Sequence, residues 1–92
     1  MPKKGIDQES KSLLIRTLAN LKNTQEVEEL LNDLLSSAET KDFSRRLMAA
    51  KYLTEEKTYQ EVIELMGMSP TTVNKIHFKT KGSKIIWKTF NK

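Results

Sequence analysis

The segment from Thr58 to Ile76 stops one helix and starts another within a few residues, and that punctuation constrains the fold more than any other feature. It reads Thr58-Tyr59-Gln60-Glu61-Val62-Ile63-Glu64-Leu65-Met66-Gly67-Met68-Ser69-Pro70-Thr71-Thr72-Val73-Asn74-Lys75-Ile76. Thr58 followed by Glu61 has the spacing of a capping box, in which each side chain satisfies the other's backbone N–H. Val62, Leu65 and Met66 then recur at helical spacing and predict the inward face. Gly67 ends the helix, because the residue after a helix usually takes a left-handed backbone that glycine adopts without strain. Ser69 caps the next helix, and Pro70 falls at its first position, where a missing N–H costs nothing. Val73 and Ile76 turn inward on that second helix. Two helices joined this way form a helix-turn-helix, the unit whose second helix enters the DNA major groove. An ordinary helical hairpin in a bundle has the same local signature, so charge has to separate the two readings.

The charge is distributed unevenly. Every one of the 12 acidic residues lies at or before Glu64, and residues 1–74 carry 10 Lys/Arg. Residues 75–92 contain Lys75, Lys79, Lys81, Lys84, Lys88 and Lys92 and no acid. The basic end thus begins on the second helix of the turn unit. Lysines placed there favour a polyanion, since each one at a phosphate releases condensed counterions. A solvated lysine tail explains the run alone; its coincidence with the helix-turn-helix favours DNA.

The rest of the chain excludes more than it adds. A length of 92 residues suits one domain. A chain of this size buries only about 60–65% of its unfolded surface, so a lone copy is marginal. There is no cysteine, which removes disulfides and thiolate metal sites, and the single His77 cannot build a zinc site. No phosphate-binding glycine loop and no nucleophile–base set is present, so no enzyme activity is expected. No apolar run is long enough to span a membrane, and Met1-Pro2-Lys3-Lys4-Gly5 leads into no apolar signal segment, so the expected location is cytoplasmic.

Residues 1–7 read as a flexible arm, and residues 8–92 as a single helical domain with the helix-turn-helix at about 58–80. Lys3 and Lys4 are candidates for a minor-groove contact, though two terminal lysines are equally explained as solvated charge. A helix is predicted over 8–22, with Leu14, Leu18 and Leu21 at spacings of four and three and Leu13 and Ile15 widening the stripe. Thr24 is the expected cap of a second helix over 25–35, whose face is Val27, Leu30, Leu31 and Leu34, with Leu35 beside it. The remaining chain has too little apolar surface to cover both stripes, which predicts a second copy across a two-fold axis. Ser36 and Glu39 form another capping box, opening a helix to about Thr54 with Phe43, Leu47, Ala50 and Leu53 inward. Arg45 and Arg46 on this helix suit either surface ion pairs with Asp42 or Glu39, or a phosphate or carboxylate. A last helix from Ser83 carries Ile86 and Phe90 on one face. Trp87 reads as a core or interface anchor rather than a base-stacking residue, and His77 as a packing residue with one hydrogen bond.

At about 100° per residue, the inward Val73 and Ile76 leave Thr71, Asn74, Lys75 and Phe78 facing outward. Thr71, Asn74 and Lys75 are the candidate base readers, asparagine being able to pair with adenine. Ser69, Thr72, Lys79 and Lys81 are the candidate phosphate contacts, two of them at the helix N-terminus. Phe78 suits either a thymine methyl or packing against the terminal helix.

The run Leu34-Leu35-Ser36-Ser37-Ala38-Glu39, the pair Arg45-Arg46, Leu53, Thr58-Tyr59-Gln60-Glu61-Val62 and Gly67-Met68-Ser69-Pro70-Thr71-Thr72-Val73 together resemble the tryptophan repressor superfamily. The similarity is closest to its YerC/YecD-type branch, which shares the Thr-Tyr opening and the Gly-x-Ser-x-x-Thr-[Ile/Val] turn, and it covers about residues 13–90. The resemblance implies an all-α, intertwined homodimer that binds palindromic operator DNA as a transcriptional repressor. It also implies a candidate effector pocket, because the family's repressor clasps its corepressor with two arginines. One of these aligns with Arg45. The other aligns with Lys75, which lacks the planar two-pronged fork of arginine. Met68 and Ile76 stand where the family has small residues. Tryptophan is therefore not expected as a corepressor, and no other cofactor is implied. A second reading remains open: a helical dimeric protein-interaction module that has lost DNA binding.

Overall fold

The computed structural model describes residues 3–91. Met1, Pro2 and Lys92, which belong to the expected arm and to the lysine-rich end, lie outside the described residues. Six helices make up the described chain, with no strand among them: α1 (Ile6–Ala19), α2 (Thr24–Leu34), α3 (Ser37–Thr54), α4 (Tyr59–Met66), α5 (Pro70–Thr80) and α6 (Lys84–Phe90). They fall into two compact units, one ending at Ser37 and the other beginning at Ala38. None of the helices is long and apolar enough to cross a membrane.

In the first unit, α1 begins at Ile6, two residues earlier than the periodicity predicts, after Gly5 in the left-handed region at φ 83°. The Lys3 ammonium pairs with Glu9, in the first turn of α1, at 3.4 Å. The cap of α2 is Asn23 and not Thr24: the Asn23 side chain accepts the Glu26 N–H at 2.9 Å, and Thr24 becomes the first helical residue. Asparagine and threonine both serve as caps, and the choice moves the helix start by only one residue. Neither α1 nor α2 contains a buried residue. Leu13, Leu14, Ile15 and Leu18 of α1 and Leu34 of α2 are exposed, Leu34 at 63%.

The second unit holds the core. Ala49 and Ala50 of α3, Val62 of α4 and Val73 and Ile76 of α5 form one buried cluster, with Tyr52, Leu53, Ile63, Met66, Met68 and Ile86 packed around it. α3 enters this cluster through two small side chains, Ala49 and Ala50. The predicted stripe of α3 is therefore only half right. Its C-terminal half is buried through Ala50 and Leu53, whereas Phe43 and Leu47 stand 65% and 50% exposed, because the short α4 and α5 pack against that half alone. On α4 the inward arc runs through Val62, Met66 and Ile63, and Leu65 is left 57% exposed. At about 100° per residue Ile63 and Leu65 lie on opposite sides of Val62, and only the packing partner chooses between them. Trp87 is 62% exposed and so is not a core residue, while its neighbour Ile86 packs on the core.

Local chemistry sets the helix ends. Backbone bonds from Glu56 N–H to Leu53 and from Lys57 N–H to Tyr52 close α3 as a Schellman motif, with Glu56 at φ 64° in the place glycine usually takes. The capping box of α4 is complete: Glu61 N–H donates to Thr58 Oγ1 at 3.1 Å, and Thr58 N–H donates to the Glu61 carboxylate at 3.0 Å. These bonds, the backbone one first, hold the Glu61 carboxyl below its ordinary pKa. A carboxyl depressed on folding contributes stability above its unfolded pKa and loses it as pH falls through the folded value. Glu61→Gln keeps an oxygen acceptor that does not titrate. Urea midpoints compared at about pH 5 and about pH 3 are expected to fall less in this variant than in the parent chain. An equal fall in both would contradict the assignment.

Candidate nucleic-acid interface

The turn between α4 and α5 is built as its residues dictate. Gly67 takes φ 63° and its N–H closes α4 on the Ile63 carbonyl. Ser69 is the cap of α5: its hydroxyl accepts the Thr72 N–H at 3.2 Å and bonds the Thr72 hydroxyl at 2.9 Å. The Val73 N–H is taken by the Ser69 carbonyl and Pro70 has none, so within the first turn the Thr71 N–H is the backbone donor that remains. Ser69 and Thr72 thus spend much of their bonding capacity on each other. The dipole of an 11-residue helix still ends at this exposed point.

Arg45 reaches across from α3. Its guanidinium donates to the carbonyl of Met66, the last residue of α4, and lies 4.0 Å from where a Cβ on Gly67 would sit. A cation at a helix C-terminus satisfies an orphan carbonyl and complements the dipole, so Arg45 braces the turn. Arg46, not Arg45, makes the ion pair with Asp42, at 3.0 Å. Met68 packs against the core and Ile76 is buried in it, so both larger side chains fill space beside the turn.

The outer face of α5 carries Thr71, Asn74, Lys75 and Phe78, the last three spaced three, four and seven residues from Thr71, and all four are exposed. Lys79 and Lys81 are exposed beyond them, and no acidic residue follows Glu64. The Lys81 ammonium sits 4.4 Å from the centroid of the Phe78 ring. Phe78 therefore lies against Lys81 on the surface, not under α6.

Tyr59, at the first position of α4, enters the sequence reading only as part of the Thr-Tyr opening, with no site role. Its hydroxyl bonds His77 Nδ1 and donates to Asn74 Oδ1 at 3.4 Å, and its ring meets that of His77 edge-on at 5.3 Å. No periodicity signals a contact between residues 15 and 18 positions apart. His77 is half-buried with this one side-chain bond, as its position on the helix predicts.

A cavity of about 400 Å³ opens between the end of α3, the end of α5 and α6, over Ala50, Leu53, Ile86 and Trp87. Neither Arg45 nor Lys75 lines it. Its hydroxyls are engaged internally, Thr54 on the Ala50 carbonyl at 2.9 Å, Thr80 on the Ile76 carbonyl at 2.7 Å and Ser83 as the cap of α6 at 3.2 Å. Among the described residues no group of His, Asp and Glu side chains is placed to hold a metal ion.

No curated protein and no solved structure matches the chain. A family model does: the one described as Trp repressor protein matches residues 9–84, from α1 through the start of α6. That span takes in the whole helix-turn-helix and most of the chain, and the all-α architecture agrees with it. The chain belongs to the Trp repressor protein family.

Proposed function

We propose that this protein is a sequence-specific DNA-binding transcriptional regulator, a repressor that binds palindromic operator DNA as a homodimer in the cytoplasm. The observation that carries the reading is the outer face of α5: polar and cationic side chains from Thr71 to Lys81, all exposed apart from the half-buried His77 and Thr80, with no acid beside them. Thr71, Asn74 and Lys75 read base edges in the major groove. Lys79, Lys81 and the α5 N-terminus at Ser69 and Thr72 hold phosphates, with the Thr71 N–H as the backbone donor. The dimer covers the apolar side chains that α1, α2 and the first half of α3 leave exposed. Its two-fold axis sets the recognition helices about one duplex turn, roughly 34 Å, apart. Within the family, the Thr-Tyr opening and the turn sequence favour the YerC/YecD-type branch.

Selection from a randomised duplex pool tests the reading directly. The expected product is an inverted repeat whose half-sites lie about 10 bp apart, bound with a steep salt dependence. A pool that yields no preferred sequence, with no salt-sensitive binding to duplex, would leave a helical protein-interaction module instead.

The regulator works without tryptophan. Arg45 already donates to the Met66 carbonyl, Lys75 is not a fork, and Met68 and Ile76 fill space at the turn. Calorimetry with millimolar L-tryptophan is expected to show no heat of binding, and a saturable signal would overturn this part of the proposal.

A further inference from the structure

We infer that Tyr59 is a positioning residue for base readout, holding the Asn74 amide in the orientation that recognises adenine, with His77 holding the Tyr59 hydroxyl in turn. The inference rests on the proposed role of Asn74 as a base reader. Its physical content is a hydrogen-bond chain that runs from α4 to the outer face of α5.

A phenol has one proton and two lone pairs, and a carboxamide oxygen accepts only. Tyr59 Oη lies within bonding distance of both His77 Nδ1 and Asn74 Oδ1, the latter at 3.4 Å. The hydroxyl proton goes to Asn74 Oδ1, which has none of its own, so His77 Nδ1–H is the donor to Tyr59 Oη. The edge-on contact of the two rings, 5.3 Å between centroids and 83° between planes, fixes where that hydroxyl sits. The chain leaves one Oδ1 lone pair and the Nδ2 hydrogens of Asn74 unused. Adenine presents N6–H as donor and N7 as acceptor in the major groove, which calls for one acceptor and one donor side by side. An exposed asparagine otherwise rotates freely about its side-chain bonds and loses that freedom on binding. Tyr59 removes the cost beforehand, which raises discrimination without adding a contact to DNA.

The test compares Tyr59→Phe, Asn74→Ala and the double variant, all in the full chain. Each is measured against the duplex obtained by pool selection, against its single-base variants and against random duplex. Phenylalanine keeps the ring and its contact with His77, so the melting temperature is expected to stay unchanged. Tyr59→Phe is expected to lose about three- to tenfold in discrimination, the share of one hydrogen bond. The loss should fall at the same base pair that Asn74→Ala affects, with affinity for random duplex and the salt slope unaltered. In the Asn74→Ala background the same change is expected to do nothing further. His77→Phe, which removes the other end of the chain, is expected to weaken the same base pair. A Tyr59→Phe loss equal on all duplexes would mean a phosphate contact and would overturn the inference, as would a loss additive with Asn74→Ala. If Asn74→Ala erases a base preference that Tyr59→Phe leaves intact, the inference fails and the base-reading face stands. If Asn74→Ala changes no base preference, both fail.

Discussion

Replacing Leu14 and Leu18 together by lysine is expected to abolish folding at micromolar concentration and, with it, binding to any duplex. Both side chains are exposed on α1, beside the exposed Leu13 and Ile15. A helix pair with no buried residue cannot be stable alone, because isolated helices of this length are marginal in water. On the proposed reading a second copy covers these stripes. Burying one leucine is worth about 1.5–3 kcal/mol, so two such sites, repeated by symmetry, rival the roughly 5–15 kcal/mol that holds a small domain together. Folding and dimerisation then form one event, and the melting temperature of the parent chain is expected to rise with protein concentration. Light scattering provides the direct check. A folded 10.6 kDa monomer of the parent chain at micromolar concentration would overturn the dimer, as would a lysine variant that melts like the parent.

The second large effect is expected at Asn74, and it differs in kind from that at Lys81. Asn74→Ala should cost about 1–3 kcal/mol on the preferred site, concentrated at one base pair, with random duplex bound as before. Lys81→Ala should weaken every duplex alike and lower the salt slope by about 0.9, as expected when one phosphate is no longer neutralised. Both residues are exposed and neither is in the core, so a change in stability does not confuse the comparison. Lys81 stands against the Phe78 ring at the end of α5. Equal weakening of preferred and random duplex by Asn74→Ala would show that the base-reading face lies elsewhere. An undiminished salt slope in Lys81→Ala would remove that residue from the phosphate set.

Thr58 with Glu61, Gly67, Ser69 with Pro70 and Ser83 were legible because each acts on its own backbone within a few residues. A capping side chain bonds an N–H two or three positions away, and a left-handed turn depends on its own φ, so neighbours in sequence are sufficient. The outward face of α5 was legible for a related reason. Val73 and Ile76 orient a regular helix, and Thr71, Asn74 and Lys75 follow from its period. What periodicity could not supply was the choice between nearly equivalent faces. Ile63 and Leu65 flank Val62 on either side, and burial went to Ile63 because that is the side where Ala49, Ala50 and Val73 meet. Phe43 and Leu47 continue the α3 stripe beyond the part that packs on the core, and both are exposed. Arg45 on the Met66 carbonyl and Tyr59 on Asn74 and His77 join residues separated by 15 to 21 positions. Such bonds depend on how α3, α4 and α5 cross, and crossing is decided by the summed packing of all three helices. The sequence by itself thus determined the six-helix pattern, the turn and the charged face, through interactions local to the chain. Only the tertiary structure decided which side of each helix is buried, and that Arg45 braces the turn while Tyr59 reaches the face it presents.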